Sequence, residues 1–168
     1  VYSMANIKEH EVGLREKEID DAIKLVKDHV ETVRWTGFDG NRAEHKILKA
    51  QMLQATASGA KIISIPDSFG VNNPEEFETI LTGIFSDWDD KGTNFSVHCH
   101  DDLGFAVENS VRAARLGVHQ VEMTLCGVGA RKGNCNLSLF LKQMSLADRY
   151  NFEFIQQAEE LISNAISD

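Results

Sequence analysis

The stretch Phe95-Ser96-Val97-His98-Cys99-His100-Asp101-Asp102 gathers the side chains with the most chemistry in the sequence. Read as the end of a β-strand, it sends Phe95, Val97 and Cys99 to one face and Ser96, His98 and His100 to the other, because successive strand side chains alternate. Two imidazoles then stand about 7 Å apart on one face, close enough to share a divalent cation, and imidazole is the commonest metal ligand near neutral pH. Two hydrogen-bonded histidines without a metal are the plainer alternative. The carboxylates of Asp101 and Asp102, which follow at once, favour the metal, and parallel α/β folds build their sites at such strand ends.

A second stretch, Gly127-Val128-Gly129-Ala130-Arg131-Lys132-Gly133-Asn134, follows the next strand-like segment. Its glycines permit close backbone approach to a ligand, and Arg131 and Lys132 add positive charge suited to a phosphate-rich or acyl-thioester ligand. Neither P-loop spacing nor the GxGxxG dinucleotide pattern is present, so a flexible βα loop stands beside that reading. A third, Ile65-Pro66-Asp67-Ser68-Phe69-Gly70, offers Asp67 and Ser68 either to orient a substrate carboxylate or hydroxyl or simply to cap a turn.

The elements that must carry these groups alternate along 168 residues. Strand patterns at 32–36, 61–65, 94–100 and 119–125, with the opening VYSMA as a stub of a further one, interleave with helical patterns at 14–30, 43–59, 105–117 and 137–150. Asn73-Pro74-Glu75-Glu76 reads as a helix start, and Phe77, Ile80, Leu81, Ile84 and Phe85 as its inward face. A repeat of about 30 residues is the length of a βα unit and implies a parallel sheet, doubly wound or barrel. Residues 151–168 read as a helix without a preceding strand, which divides the chain into a catalytic-domain part, 1–150, and a following helix, 151–168.

Composition narrows the function. The net charge of −9 and the lack of a basic stripe argue against nucleic acid. No apolar run approaches a membrane span, and no signal-peptide pattern opens the sequence. Cys99, Cys126 and Cys135 form no CxxC pair and read as small buried residues in a reducing cytoplasm.

HCHDDLGFAVENSVRAARLGVHQVEMTLCGVGARKGN and IPDSFGVNNPEEF together resemble the signatures of the DRE-type TIM-barrel metalloenzymes, the HMGL-like family. That family holds the 2-isopropylmalate, homocitrate and citramalate synthases, with 3-hydroxy-3-methylglutaryl-CoA lyase and 4-hydroxy-2-oxovalerate aldolase as relatives. The resemblance implies a (β/α)8 barrel represented here by about five βα units, strands 4 to 8, and a C-terminal helix. It makes His98, His100 and Asn134 ligands of Mg²⁺, Mn²⁺ or Zn²⁺, with Asp101 and Asp102 just behind them. It places Ser68 and Arg34 against a 2-oxo acid, and Gly127, Gly129, Arg131 and Gly133 in a loop near the acyl-CoA. The implied reaction is condensation of acetyl-CoA with a 2-oxo acid, as in leucine biosynthesis.

Several residues depart from the family pattern. Ala130 replaces a glutamate, Arg34 falls about where many synthases carry one, and Asp101 replaces the commoner asparagine. The Arg-Asp pair of the family's first strand has no counterpart, and neither does its acid–base histidine, so no catalytic residue is assigned. A complete barrel needs about 250 residues. The expectation is therefore a partial barrel, inactive alone, that closes against a second copy or against a missing N-terminal half. A metal-dependent aldolase or lyase, or a divergent non-catalytic homologue, is the alternative.

Overall fold

In the computed structural model, which describes residues 3–86, 88–89 and 92–167, helices and strands alternate from the start. Helix α1 (Val12–Lys27) precedes strand β1 (Arg34–Thr36), and α2 (His45–Ser58) leads to β2 (Ile62–Asp67). Helix α3 (Pro74–Ser86), β3 (Asn94–Cys99), α4 (Ala106–Arg115) and β4 (Gln120–Glu122) follow, then α5 (Leu137–Gln143) and α6 (Phe152–Ser167). The four strands form one parallel sheet in the order β1-β2-β3-β4, each pairing with its sequence neighbour. No helix among the described residues is long and apolar enough to cross a membrane.

Local chemistry explains the boundaries. Asn73 and Glu76 cap α3 reciprocally: the Glu76 N–H donates to Asn73 Oδ1 and the Asn73 N–H to Glu76 Oε2, both at 3.0 Å. Gly59 ends α2 in the left-handed region (φ 107°), as the sequence predicts.

Two expectations fail. Met4–Asn6 is a 3-10 turn rather than a strand, its first N–H donating to the Phe38 carbonyl at 2.9 Å, while residues 1 and 2 of the expected strand lie outside the described residues. The described residues hold four strands. The helix expected over 137–150 stops at Gln143, because Ser145 adopts a left-handed φ of 55° and Ala147–Arg149 restarts as a 3-10 turn.

Alternation along the strands decides what is core. Ile63, Ile65, Val97 and Cys99 point to the helical layer and are buried with Met52 and Ala55 of α2, Phe77 and Leu81 of α3, and Val111 and Ala113 of α4. Burial raises the thiol pKa of Cys135 to about 11 and raises that of Cys99 further; Cys99, Cys126 and Cys135 are all free thiols. Register then puts Ser64 opposite Ser96, and His98 opposite Glu122, on the other face.

Phe77 is 1% exposed and Phe154 of α6 is 64% exposed. Urea denaturation should show Phe77→Ala losing about 3–5 kcal/mol, and Phe154→Ala staying within about 0.5 kcal/mol of wild type.

Candidate metal centre at the C-terminal strand ends

His98 and His100 meet at the end of β3, where the sequence places them. Their Nε2 atoms are 3.2 Å apart and their rings nearly perpendicular, with an interplanar angle of 85°. His100 Nδ1 lies 3.2 Å from the carbonyl oxygen of Gly133. A carbonyl only accepts, so His100 carries its proton on Nδ1 and turns the lone pair of Nε2 towards His98. Two imidazole nitrogens bound to one cation at about 2.1 Å would lie about 3.0–3.4 Å apart in octahedral or tetrahedral geometry, which brackets the observed separation. Burial holds the His98 pKa below its ordinary value, partly offset by Glu122, which keeps the ring neutral as a ligand must be.

Asn134 arrives from a different element. After β4 the chain loops out and returns across the ends of β3 and β4. The N–H of Cys135 donates to Cys99 O (3.1 Å), that of Asp101 to Gly133 O (3.0 Å) and that of Thr124 to Cys135 O (3.0 Å). His100 and Asn134 thereby form an isolated antiparallel bridge, and Asn136 a parallel one with Thr124. The Asn134 amide donates from Nδ2 to Val128 O at 3.1 Å, which fixes its orientation. Its Oδ1 is buried without a partner, as is His98 Nδ1. The orphaned Asn134 Oδ1 and the two Nε2 atoms that face each other fit a site built for a cation. Among the described residues no three His, Cys, Asp or Glu side chains converge, so these residues supply only part of a coordination sphere.

The glycines of this loop serve the loop itself. A Cβ on Gly129 would collide with the Asn134 amide, and one on Gly133, whose φ is 106°, with the Gly127 carbonyl. Both glycines are therefore required by the packing of the loop on itself. Arg131 is likewise engaged: its Nε donates to Asp102 Oδ1 (2.8 Å), and its Nη2 to Asp102 Oδ2 (3.0 Å) and Ser68 O (2.8 Å). That pairing lowers the Asp102 pKa. Asp101 Oδ1 accepts the Ala106 N–H at the start of α4 (2.9 Å).

Ser68 reaches the same end of the sheet from β2, and its Oγ accepts the Asp39 N–H at 2.7 Å. Gly70 (φ 59°) allows the contact between these loops, since a Cβ there would lie 2.7 Å from both His100 O and the Asp102 N. Asp67 serves as an anchor, accepting from Asn41 Nδ2 and the backbone N–H groups of Val71 and Asn72. Its pKa is raised by burial against those bonds. Phe69 lies between two cations, the guanidinium carbons of Arg42 and Arg131 being 4.8 and 5.4 Å from its ring centroid.

Below the histidines sits a residue the sequence reading passed over. Glu122 Oε1 accepts from Ser64 Oγ and Ser96 Oγ, both at 2.9 Å, and pairs with Arg34 Nη1 at 3.0 Å. Its signal was available, since Glu122 alternates with Val121 in a strand beside His98. Arg34 is therefore neutralised on the inner face and does not stand as an isolated positive charge.

Comparison with known proteins follows this geometry. The HMGL-like family profile matches residues 6–162. The 2-isopropylmalate synthase of Xylella fastidiosa (strain M23) is 30% identical over 166 residues, covering 94% of this chain and 32% of that protein. That of Lactococcus lactis subsp. lactis (strain IL1403) is 38% identical over 122 residues, 72% of this chain and 24% of that protein. The chain thus spans a third or less of these relatives. Among solved structures, the HMG-CoA lyase of Bacillus subtilis aligns with a TM-score of 0.72 at 19% identity, covering 97% of this chain and 58% of that one. The N-terminal domain of a putative aldolase from Bacteroides vulgatus aligns at 0.73 and 22% identity, covering 90% and 52%. At these identities the structural likeness carries the barrel fold.

Gly129→Ala should destabilise the chain by about 1–3 kcal/mol in urea. Gly13→Ala, on α1 with nothing within 4 Å of the new Cβ, should stabilise it by about 0.5–1 kcal/mol. In Arg131→Met the Asp102 carboxyl should titrate closer to the usual carboxylate range, followed by its carboxyl carbon shift in a pH series. The wild-type pairing stabilises the fold at neutral pH, and that contribution is lost as pH falls through the lowered pKa of Asp102.

Proposed function

The chain belongs to the HMGL-like family, its four strands forming part of a TIM barrel, and from this premise we propose that it supplies the metal-binding end of an acyl-CoA:2-oxo acid condensing enzyme of the 2-isopropylmalate synthase type. The observation that carries this reading is the His98–His100 pair, with Nε2 atoms 3.2 Å apart at the carboxyl end of β3. His98, His100 and Asn134 Oδ1 would hold the ion. Once bound, a divalent cation would supply Lewis-acid polarisation of a substrate carbonyl.

The protein's own groups do the rest. Gly133 O sets the tautomer of His100. The Ser68 hydroxyl, which accepts from Asp39 N–H, retains its proton to donate to a substrate carboxylate. The loop Gly127, Gly129, Arg131 and Gly133 borders this site and is assigned to the acyl-CoA side, with Arg131 and Asp102 holding it against Ser68. The proton-transfer groups and a further anionic ligand, which have no counterpart in this sequence, come from a preceding half-barrel, whereas a second copy of this chain would close the sheet without supplying them, in a cytoplasmic setting.

A second reading, carbon–carbon bond cleavage of the lyase or aldolase kind, is favoured by Ala130 in place of the family's glutamate.

Calorimetric titration of the chain with Mn²⁺ and Zn²⁺ should give binding in the micromolar range or weaker, abolished in His98→Ala and in His100→Ala. A chain that takes up neither ion would instead be a non-catalytic homologue. On the closed barrel, thiol release from acetyl-CoA with a panel of 2-oxo acids supports the synthase. Retro-aldol cleavage of a 4-hydroxy-2-oxo acid without thiol release assigns the lyase branch.

A further inference from the structure

Glu122 stands directly opposite His98 in the β3–β4 register, and its two carboxylate oxygens are in unequal surroundings. Oε1 takes two hydroxyl hydrogen bonds, from Ser64 and Ser96, and the Arg34 guanidinium. Oε2 points to His98, 3.7 Å from Nδ1. That nitrogen is buried with no hydrogen-bond partner. Closing the gap by about an ångström would turn an orphaned N–H and an under-used oxygen into a charge-assisted hydrogen bond of the usual length, about 2.7–2.9 Å.

The tautomers make the same point. With its proton on Nε2, His98 donates to the lone pair of His100 Nε2, but its bare Nδ1 then faces a carboxylate oxygen and neither atom is satisfied. With its proton on Nδ1, Glu122 is satisfied, but two Nε2 lone pairs oppose each other at 3.2 Å. With both rings neutral, a cation between the two nitrogens resolves both contacts together.

We propose that Glu122 is the positioning residue of the metal centre: its Oε2 accepts the Nδ1 proton of His98 and so presents the Nε2 lone pair to the ion, while Ser64, Ser96 and Arg34 hold the carboxylate in place through Oε1. The inference rests on the metal reading of His98 and His100 and adds to it a residue that touches neither ion nor substrate. It also gives Arg34 a role distinct from substrate contact.

Glu122→Gln inverts this arrangement without changing its shape. Three donors converge on the position of Oε1, so the new side chain must place its carbonyl oxygen there and its NH₂ against His98. An NH₂ donates, so Nδ1 must accept and the His98 proton moves to Nε2, where it blocks the ion.

The test is titration of the full 168-residue chain with Co²⁺, followed by hyperfine-shifted proton NMR. The wild type should show two exchangeable ring N–H lines, one from each histidine, and His98→Ala should remove binding. Glu122→Gln should lose one of the two lines and bind Co²⁺ about 10–100-fold more weakly, with far-UV circular dichroism unchanged. A purely structural role for Glu122 would leave both lines in place. If Glu122→Gln does not fold, Glu122→Asp retains the charge but withdraws the acceptor by one methylene, and at least a fivefold loss of affinity is expected. Wild-type binding that is lost in His98→Ala yet unchanged in the glutamate variants overturns the role of Glu122 and leaves the metal reading standing. Failure of the wild type to bind Co²⁺ overturns both.

Discussion

Side-chain alternation along in-register parallel strands is the constraint on which the molecule depends. Each strand must give one row of side chains to the helices and the other to the barrel interior, and a slip of one residue would exchange the two rows. In β3 the exchange would put Phe95, Val97 and Cys99 inside the barrel and drive Ser96 and His98 among Phe77, Leu81 and Val111. The apolar row is what fixes the register, and the register is what places chemistry. His98 stands opposite Glu122, and Ser64 opposite Ser96, because Ile63, Ile65 and Val97 have to be buried on the other side.

A second layer of organisation comes from backbone atoms. The chain that returns after β4 lays Gly133, Asn134 and Cys135 across the ends of the strands. One carbonyl, that of Gly133, receives both the Asp101 N–H and the Nδ1 proton of His100. The loop can approach this closely only because Gly129 and Gly133 lack a Cβ. Arg131 and Asp102 then tie it to the Ser68 loop, so three strand ends share one hydrogen-bonded rim. The histidines are oriented by this rim above and by the inner-face carboxylate below.

How far the sequence discloses this follows from what each feature depends on. The four strands, the α3 cap and the His98–His100 face are legible because they rest on local periodicity and on side chains a few residues apart. The opening strand is not, since Met4–Asn6 is turned by a hydrogen bond to the Phe38 carbonyl, distant in sequence. Ser145 ends α5 early through a backbone conformation that no residue type in the segment announces. Around the site, the residue types were readable and their partners were not. Arg131 reads as a free cation until Asp102 is brought to it, and nothing local announces that the space beside Gly129 is taken by the Asn134 amide and that beside Gly133 by the Gly127 carbonyl. Glu122 was overlooked because its place beside His98 gains meaning only with Ser64, Ser96 and Arg34, which lie on three other strands.

The inner face also shows why the ion pair it carries is suited to an interior that other strands enclose. Here Arg34 is 41% exposed and Glu122 22%, so water still shares the solvation of both. Closing the barrel removes that water and raises the desolvation cost of each charge, and a buried pair is tolerated only when further hydrogen bonds satisfy its remaining atoms. Ser64 and Ser96 already meet that requirement at Oε1, and His98 is placed to meet it at Oε2.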